Sequence, residues 1–278
     1  MKQKDPLWLT IVIYIVLLIF VAFSVYPVLR VVTISLRPGD QLHSRSLAII
    51  PEDASLSSYK TLFTGTGYLQ WMLNSAIVSI CVTLLGVGLA STAGYAISRF
   101  SFRGRGSAMI ALITTQMFPV TMLLLPMFMM LRALHLWNTF GGLIIIYSAT
   151  ALPFCVWTMK GYYDTIPFSL EEAASIDGCS PFNAFRLVVL PLALPALVIT
   201  ALFSFMAAWS EYLVAAVVLN DKRLYTLPLG LKMFQSNFST EWGLYAAGAL
   251  IVAVPVMVLF LSLSKWLVGG LTLGSVKG

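Results

Sequence analysis

The chain has 278 residues, of which 59% are hydrophobic and only 10% charged, with net charge +6 and a mean hydropathy of +0.90. Soluble domains carry about 25% charged residues, so this composition excludes a soluble globular protein and defines an integral membrane one. The positive charge lacks the basic stripe with interleaved aromatics that nucleic acid requires, and basic residues at the ends of spans account for it.

The first predicted element is the apolar run Leu7 to Leu29, behind Lys2 and Lys4. About 20 apolar residues suffice to cross a bilayer. The run lacks a small-residue cleavage pattern, so it reads as a retained helix, not a removable signal. A polar loop is expected over Thr33 to Tyr68, where Pro38, Gly39 and Pro51 gather. Further spans follow at Trp71 to Ile97, Ala108 to Leu131, Gly141 to Met159, Leu192 to Leu219 and Leu244 to Val268. The expected fold class is all-α integral membrane, with six transmembrane helices and both termini on one side. Its organisation is a first helix and loop (1–69), a core of five spans (70–268) and a C-terminal tail (269–278). Lysine and arginine divide almost evenly between the two sides. The best single sign of a cytoplasmic loop is the group Arg99, Arg103 and Arg105, which has no acid beside it.

Between the fourth and fifth spans lies a polar island, Leu170-Glu171-Glu172-Ala173-Ala174-Ser175-Ile176-Asp177-Gly178. Ser169 and Glu172 have capping-box spacing, and the two glutamates suit the positive end of a helix dipole. Gly178 supplies a left-handed stop. Leu170, Ala173, Ala174 and Asp177 recur at helical spacing, which predicts one flat face open to close approach. A helix of about two turns is marginal alone in water, so this one is expected to dock against a partner.

Inside the spans, Pro119, Pro126, Pro153, Pro195 and Pro255 bend helices, and Gly86, Gly88 and Gly94 permit close helix approach. Polar groups at membrane depth are costly and merit a functional hypothesis. Glu211 falls about 30 Å along the fifth span from its cytoplasmic start, near the outer interface. It reads either as a wall or gate residue of a translocation path or as an acid reaching the outer headgroups. Asn74 and Gln116 either line the same path or bond one helix to another. Cys81, Cys155 and Cys179 are scattered without the spacing of a disulfide or metal site. His43 and His135 stand alone, and no triad-like set is present. No Gly-x-x-x-x-Gly-Lys-Ser/Thr loop occurs in the sequence, so the usual cradle for ATP phosphates is missing.

Glu172-Ala173-Ala174, then Gly178, then Val188-Val189-Leu190-Pro191 resembles the "EAA" signature of ABC importer permeases, with Val188 where the signature has Ile. Ala93-Gly94-Tyr95-Ala96-Ile97-Ser98-Arg99-Phe100 with Phe102-Arg103-Gly104, Val156 to Tyr163, and the closing Trp266 to Thr272 are similar to the MalG-like carbohydrate permeases of the maltose/trehalose type. The resemblance implies a type I ABC importer permease fold in which the polar island is a cytoplasmic coupling helix, with both termini cytoplasmic. It implies Glu171, Glu172, Ala173, Ala174, Asp177 and Gly178 as the ATPase-coupling residues. An outer loop, with Lys232, Phe234, Gln235, Asn237 and Phe238, would reach the binding protein, although an ordinary solvated loop has the same composition. A tail, Gly274, Ser275, Val276, Lys277 and Gly278, would extend between the ATPases, although a disordered tail reads the same way.

The implied partners are a second permease subunit, two ATPase subunits and an extracytoplasmic sugar-binding protein, all at a bacterial or archaeal inner membrane. The chain itself would hold no cofactor and catalyse nothing, with ATP and magnesium bound by the ATPases. The implied cargo is a di- or oligosaccharide such as maltose, maltodextrin or trehalose. Another sugar, a glycerol-phosphate compound, or an ion-coupled secondary transporter remain the alternatives.

Overall fold

The computed structural model describes residues 6–40, 42, 48–235 and 240–273. Contacts divide the chain into two units, Met1–Tyr68 with Leu231–Val254, and Leu69–Gly230 with Pro255–Gly278.

In the first unit, α1 (Leu7–Ser35) is apolar on all sides, and none of its residues before Thr33 is buried. Its 29 residues correspond to about 44 Å of helix, more than the roughly 30 Å hydrocarbon core. The expected loop from Thr33 is shorter than the sequence suggests, because α1 continues to Ser35 and α2 (Ser57–Gly65) follows. Buried hydroxyls account for this. Thr33 donates to the Ile49 carbonyl at 2.7 Å, and Ser35 bonds Tyr59 at 2.8 Å. These partners let polar residues complete the last turn of an apolar helix.

The second unit is built on α3 (Tyr68–Arg99), which begins at the unit boundary, and on α6 (Phe140–Tyr163) and α10 (Leu194–Trp209). α6 packs along α10. Two apolar clusters hold these helices together. One joins Val78 and Val82 of α3 to Leu143, Ile146 and Tyr147 of α6 and to Ala208. The other joins Ala90 and Ile97 to Ala151, Cys155, Met159 and Tyr163, and to Ala193 and Ala196. Small residues set the spacing as expected at two places. A Cβ on Gly94 would stand 2.9 Å from Met159 Cβ, and one on Gly86 would stand 2.8 Å from Ser204 Oγ. Gly88 instead faces open space.

The expected third span is broken, and the expected fifth is entered through a sharp bend. α4 (Arg105–Thr115) and α5 (Val120–Ala133) meet at 101°, and the segment Pro181–Leu192 meets α10 at 77°. Proline explains both breaks, since Pro119 directly precedes α5 and Pro195 lies in the first turn of α10. Among the described residues, four unbroken helices are long and apolar enough to cross a membrane, and the bent pairs bring the number to as many as six. The last of them, α13 (Trp242–Leu273), continues past the expected end at Val268. The expected fifth span to Leu219 also stops early. Ser210, Glu211 and Tyr212 interrupt it, and a separate helix, α11 (Leu213–Val218), starts again beyond them.

Candidate functional site

The polar island forms α7 (Ser169–Ile176), between α6 and the short helix α8 (Pro181–Ala184). Its end is built as expected. Gly178 has φ +85°, its N–H donates to Ser175 O at 3.1 Å, and the Cys179 N–H donates to Ala174 O at 2.9 Å. This pair of bonds is the Schellman arrangement, which satisfies carbonyls that the last turn leaves free. Its start differs from expectation. Phe168 already has helical angles (φ −63°, ψ −27°) and no side chain caps the helix, so the capping box of Ser169 and Glu172 does not form. Ser169 lies inside the helix, where its hydroxyl is not placed to accept from the first-turn N–H groups. Ser180 does cap the following helix, accepting from Asn183 N at 3.3 Å ahead of Pro181.

The expected single face of α7 is split. Glu171 and Ala174 are buried, whereas Leu170, Glu172, Ala173, Asp177 and Gly178 are exposed. Glu171, expected among the ATPase-coupling residues, turns its carboxylate inward, away from the exposed side of α7. Its Oε1 accepts from Arg99 Nε at 2.5 Å, and its Oε2 accepts from Tyr95 OH at 2.6 Å. Arg99 also donates to Ile166 O at 3.0 Å. A buried carboxylate needs such partners because its charge has lost water. Nearby, Ser98 donates to Asp164 Oδ1 at 2.7 Å and Lys160 pairs with Asp164 Oδ2 at 2.5 Å. Partial burial pushes the Asp164 carboxyl up, but the Lys160 and Ser98 bonds outweigh it and hold the group below the usual carboxylate range. The last turn of α3 thus grips the segment that carries α7.

A cleft of about 470 Å³ lies between this grip and α7, lined by Tyr95, Phe100, Phe168, Glu172, Ile176 and Pro181 among others. Beside it, Ile176 is 87% exposed and Phe182 68%. Sequence reasoning missed Tyr95 and the second role of Arg99. The glycine-tyrosine-arginine stretch carries family likeness and loop charge, and nothing local links it to Glu171, 72 positions away. Exposed Ile176 was legible as the apolar residue outside the predicted face.

The other expected site residues are placed elsewhere. Asn74 is 1% exposed and donates to the Arg223 and Tyr225 carbonyls at 2.8 and 2.9 Å. It therefore ties the 220–227 loop to α3. Ser75 supports the same loop by accepting from Leu227 N. Gln116, at the α4–α5 break, is exposed and donates to Thr150 O at 2.9 Å. Glu211 accepts from Tyr147 OH at 2.6 Å and from the N–H groups of Val214 and Ala215 at 2.9 and 3.1 Å. From the position before the N-cap Tyr212, it satisfies first-turn N–H groups of the helix that resumes the interrupted span. In the expected outer loop, Phe234 is buried and Lys232 is bonded to Gln235 at 2.7 Å. Asn237, Phe238 and Gly274 to Gly278 lie outside the described residues.

Apolar spans and proline-broken helices, with a short polar helix between α6 and α10, define a multi-pass membrane protein. The matching family model, "Binding-protein-dependent transport system inner membrane component", covers residues 61–271, and the chain belongs to that family. It is a multi-pass inner-membrane transport permease subunit. Among curated relatives, the maltose/maltodextrin transport system permease protein MalG of Photorhabdus laumondii is 34% identical, over 100% of this chain and 99% of its own length. MalG of Escherichia coli K12 is 36% identical over 100% and 98%, and that of Vibrio vulnificus 36% over 99% and 97%. A solved chain of a bacterial ABC transporter involved in the import of the acidic polysaccharide alginate superposes with a TM-score of 0.81. It shares 22% identity, over 95% of this chain and 98% of that one, and shows the same fold.

Proposed function

We propose that this chain forms half of the translocation path of an ATP-driven sugar importer, with α7 as the helix that receives force from a separate ATPase. The observation that carries the reading is the form of α7, a two-turn helix closed by Gly178 that leaves Glu172, Ala173 and Asp177 exposed. An isolated helix of that length is marginal, so its stability and its use both depend on docking. Glu172 pairs with a basic group of the ATPase, Ala173 and Gly178 permit close approach, and exposed Ile176 and Phe182 add apolar contact. α7, both termini and the Gly274–Gly278 tail lie on the cytoplasmic side in this reading, with the tail extending between the ATPase subunits.

ATP and magnesium are held by two ATPase subunits, and the chain itself performs no catalysis. A second, different permease completes the path, and an extracytoplasmic binding protein delivers the sugar. Closure of the ATPases rocks the helices between two arrangements, which moves solute without opening a continuous pore. The named relatives support maltose or maltodextrin, and trehalose is a disaccharide of the same class. The test is reconstitution of the assembled complex in proteoliposomes with a panel of such sugars, other sugars and glycerol phosphate. ATP-dependent uptake of a maltose-type sugar is expected. Uptake by this polypeptide alone, driven by an ion gradient, would refute the reading.

A further inference from the structure

We propose that Arg99 and Tyr95 are positioning residues for coupling: by holding the Glu171 carboxylate they fix the roll of α7 and make α3 a third helix that feels the ATPase. The inference deepens the coupling reading and rests on it. α7 is joined through the chain only to α6 before it and to α8 and the turns leading to α10 after it. α3 has no such covalent link, yet its last turn contributes three side-chain attachments to the α6–α7 region. Ser98 bonds Asp164, Arg99 bonds Ile166 O, and Arg99 with Tyr95 occupies both oxygens of Glu171.

The pair is enclosed, with side-chain exposures of 9% for Arg99 and 8% for Glu171. Glu171 and Ala174, three residues apart, are the inward positions of α7. In a helix of eight residues, two inward anchors define its rotation about its own axis. Adjacent residues on a helix point about 100° apart, so fixing Glu171 inward presents Glu172 outward. Loss of the Glu171 charge frees the roll and blurs that presentation, while the Gly178 stop keeps the helix formed. α3 itself packs on α6 at Gly94, so motion applied to Glu171 reaches a long membrane helix directly.

The experiment uses the whole complex, with its second permease, ATPases and binding protein, in proteoliposomes. Glu171→Gln keeps the volume and removes the charge, and Arg99→Lys keeps the charge but loses the forked donors. Each is read for ATPase retention on purification and for sugar moved per ATP hydrolysed. Expected is retained ATPase with transport per ATP lowered about tenfold in Glu171→Gln and by a smaller factor in Arg99→Lys. Tyr95→Phe, which leaves Oε1 paired, falls between wild type and Glu171→Gln. A purely structural role would lower complex yield and transport together and leave their ratio unchanged, and that result overturns the proposal. Wild-type stoichiometry in Glu171→Gln, or Arg99→Lys no better than Glu171→Gln, also overturns it. These failures differ from failure of the coupling reading, in which the wild-type chain itself would retain no ATPase.

Discussion

The stop at the end of α7 permits the sharpest test of the coupling role proposed for that helix. Gly178 sits at φ +85°, and a Cβ there would meet nothing within 4 Å. Substitution is therefore not a matter of space, and its cost is the backbone alone. Alanine in the left-handed region costs about 1–2 kcal/mol, whereas asparagine tolerates that region and should behave nearly as glycine. Proline is held near φ −65° and has no N–H, so Gly178→Pro also loses the 3.1 Å bond to Ser175 O. Its cost is about 3 kcal/mol or more, by analogy with proline forced into a helix interior.

One or two kcal/mol changes a local equilibrium by a factor of about 5–30. Opening of the α7 end should rise by that factor in Gly178→Ala and beyond it in Gly178→Pro. The reporter is the Cys179 amide, whose bond to Ala174 O closes the helix. Its hydrogen exchange, with sugar uptake per ATP in the reconstituted complex, should follow the order Gly, Asn, Ala, Pro. Unchanged Cys179 protection in Gly178→Pro, or full coupling in that variant, would refute the claim that a closed α7 transmits force.

Other substitutions separate the remaining roles. Glu172→Lys should reduce ATPase association without changing membrane insertion, and normal ATPase association and uptake would remove Glu172 from the docking face. Asn74→Leu leaves the Arg223 and Tyr225 carbonyls without their donor, so the protein should lose about 1–3 kcal/mol of stability, read as a lower melting temperature in detergent. Glu211→Ala removes the acceptor of the Val214 and Ala215 N–H groups and of the Tyr147 hydroxyl, a loss of about 1–3 kcal/mol for buried donors left unpaired. It should lower thermal stability while the sugar concentration for half-maximal uptake stays unchanged, and a large shift in that concentration would return Glu211 to the translocation path.

The sequence by itself determined the class of protein and the approximate order of its helices. Long apolar runs have one favourable environment, and the backbone there must bond internally, so span after span could be read without any tertiary contact. It also determined the close of α7, because a left-handed stop is a local property of Gly178. The short-range signal was weaker at the other end, where Phe168 entered the helix early and left Ser169 unable to cap it.

Tertiary structure decided which way polar side chains face and what they bond. Two neighbouring glutamates look equivalent in the sequence, yet one is buried on Arg99 and Tyr95 and the other is exposed. Asn74 and Glu211 likewise gained their roles from the Arg223 and Tyr225 carbonyls and the Tyr147 hydroxyl, partners 64 to 151 positions away. Such pairings follow from helix packing at Gly86 and Gly94 and from breaks at Pro119 and Pro195. Hydropathy and spacing describe one segment at a time, so they place a polar residue on a helix but do not name the distant group that completes its hydrogen bonds.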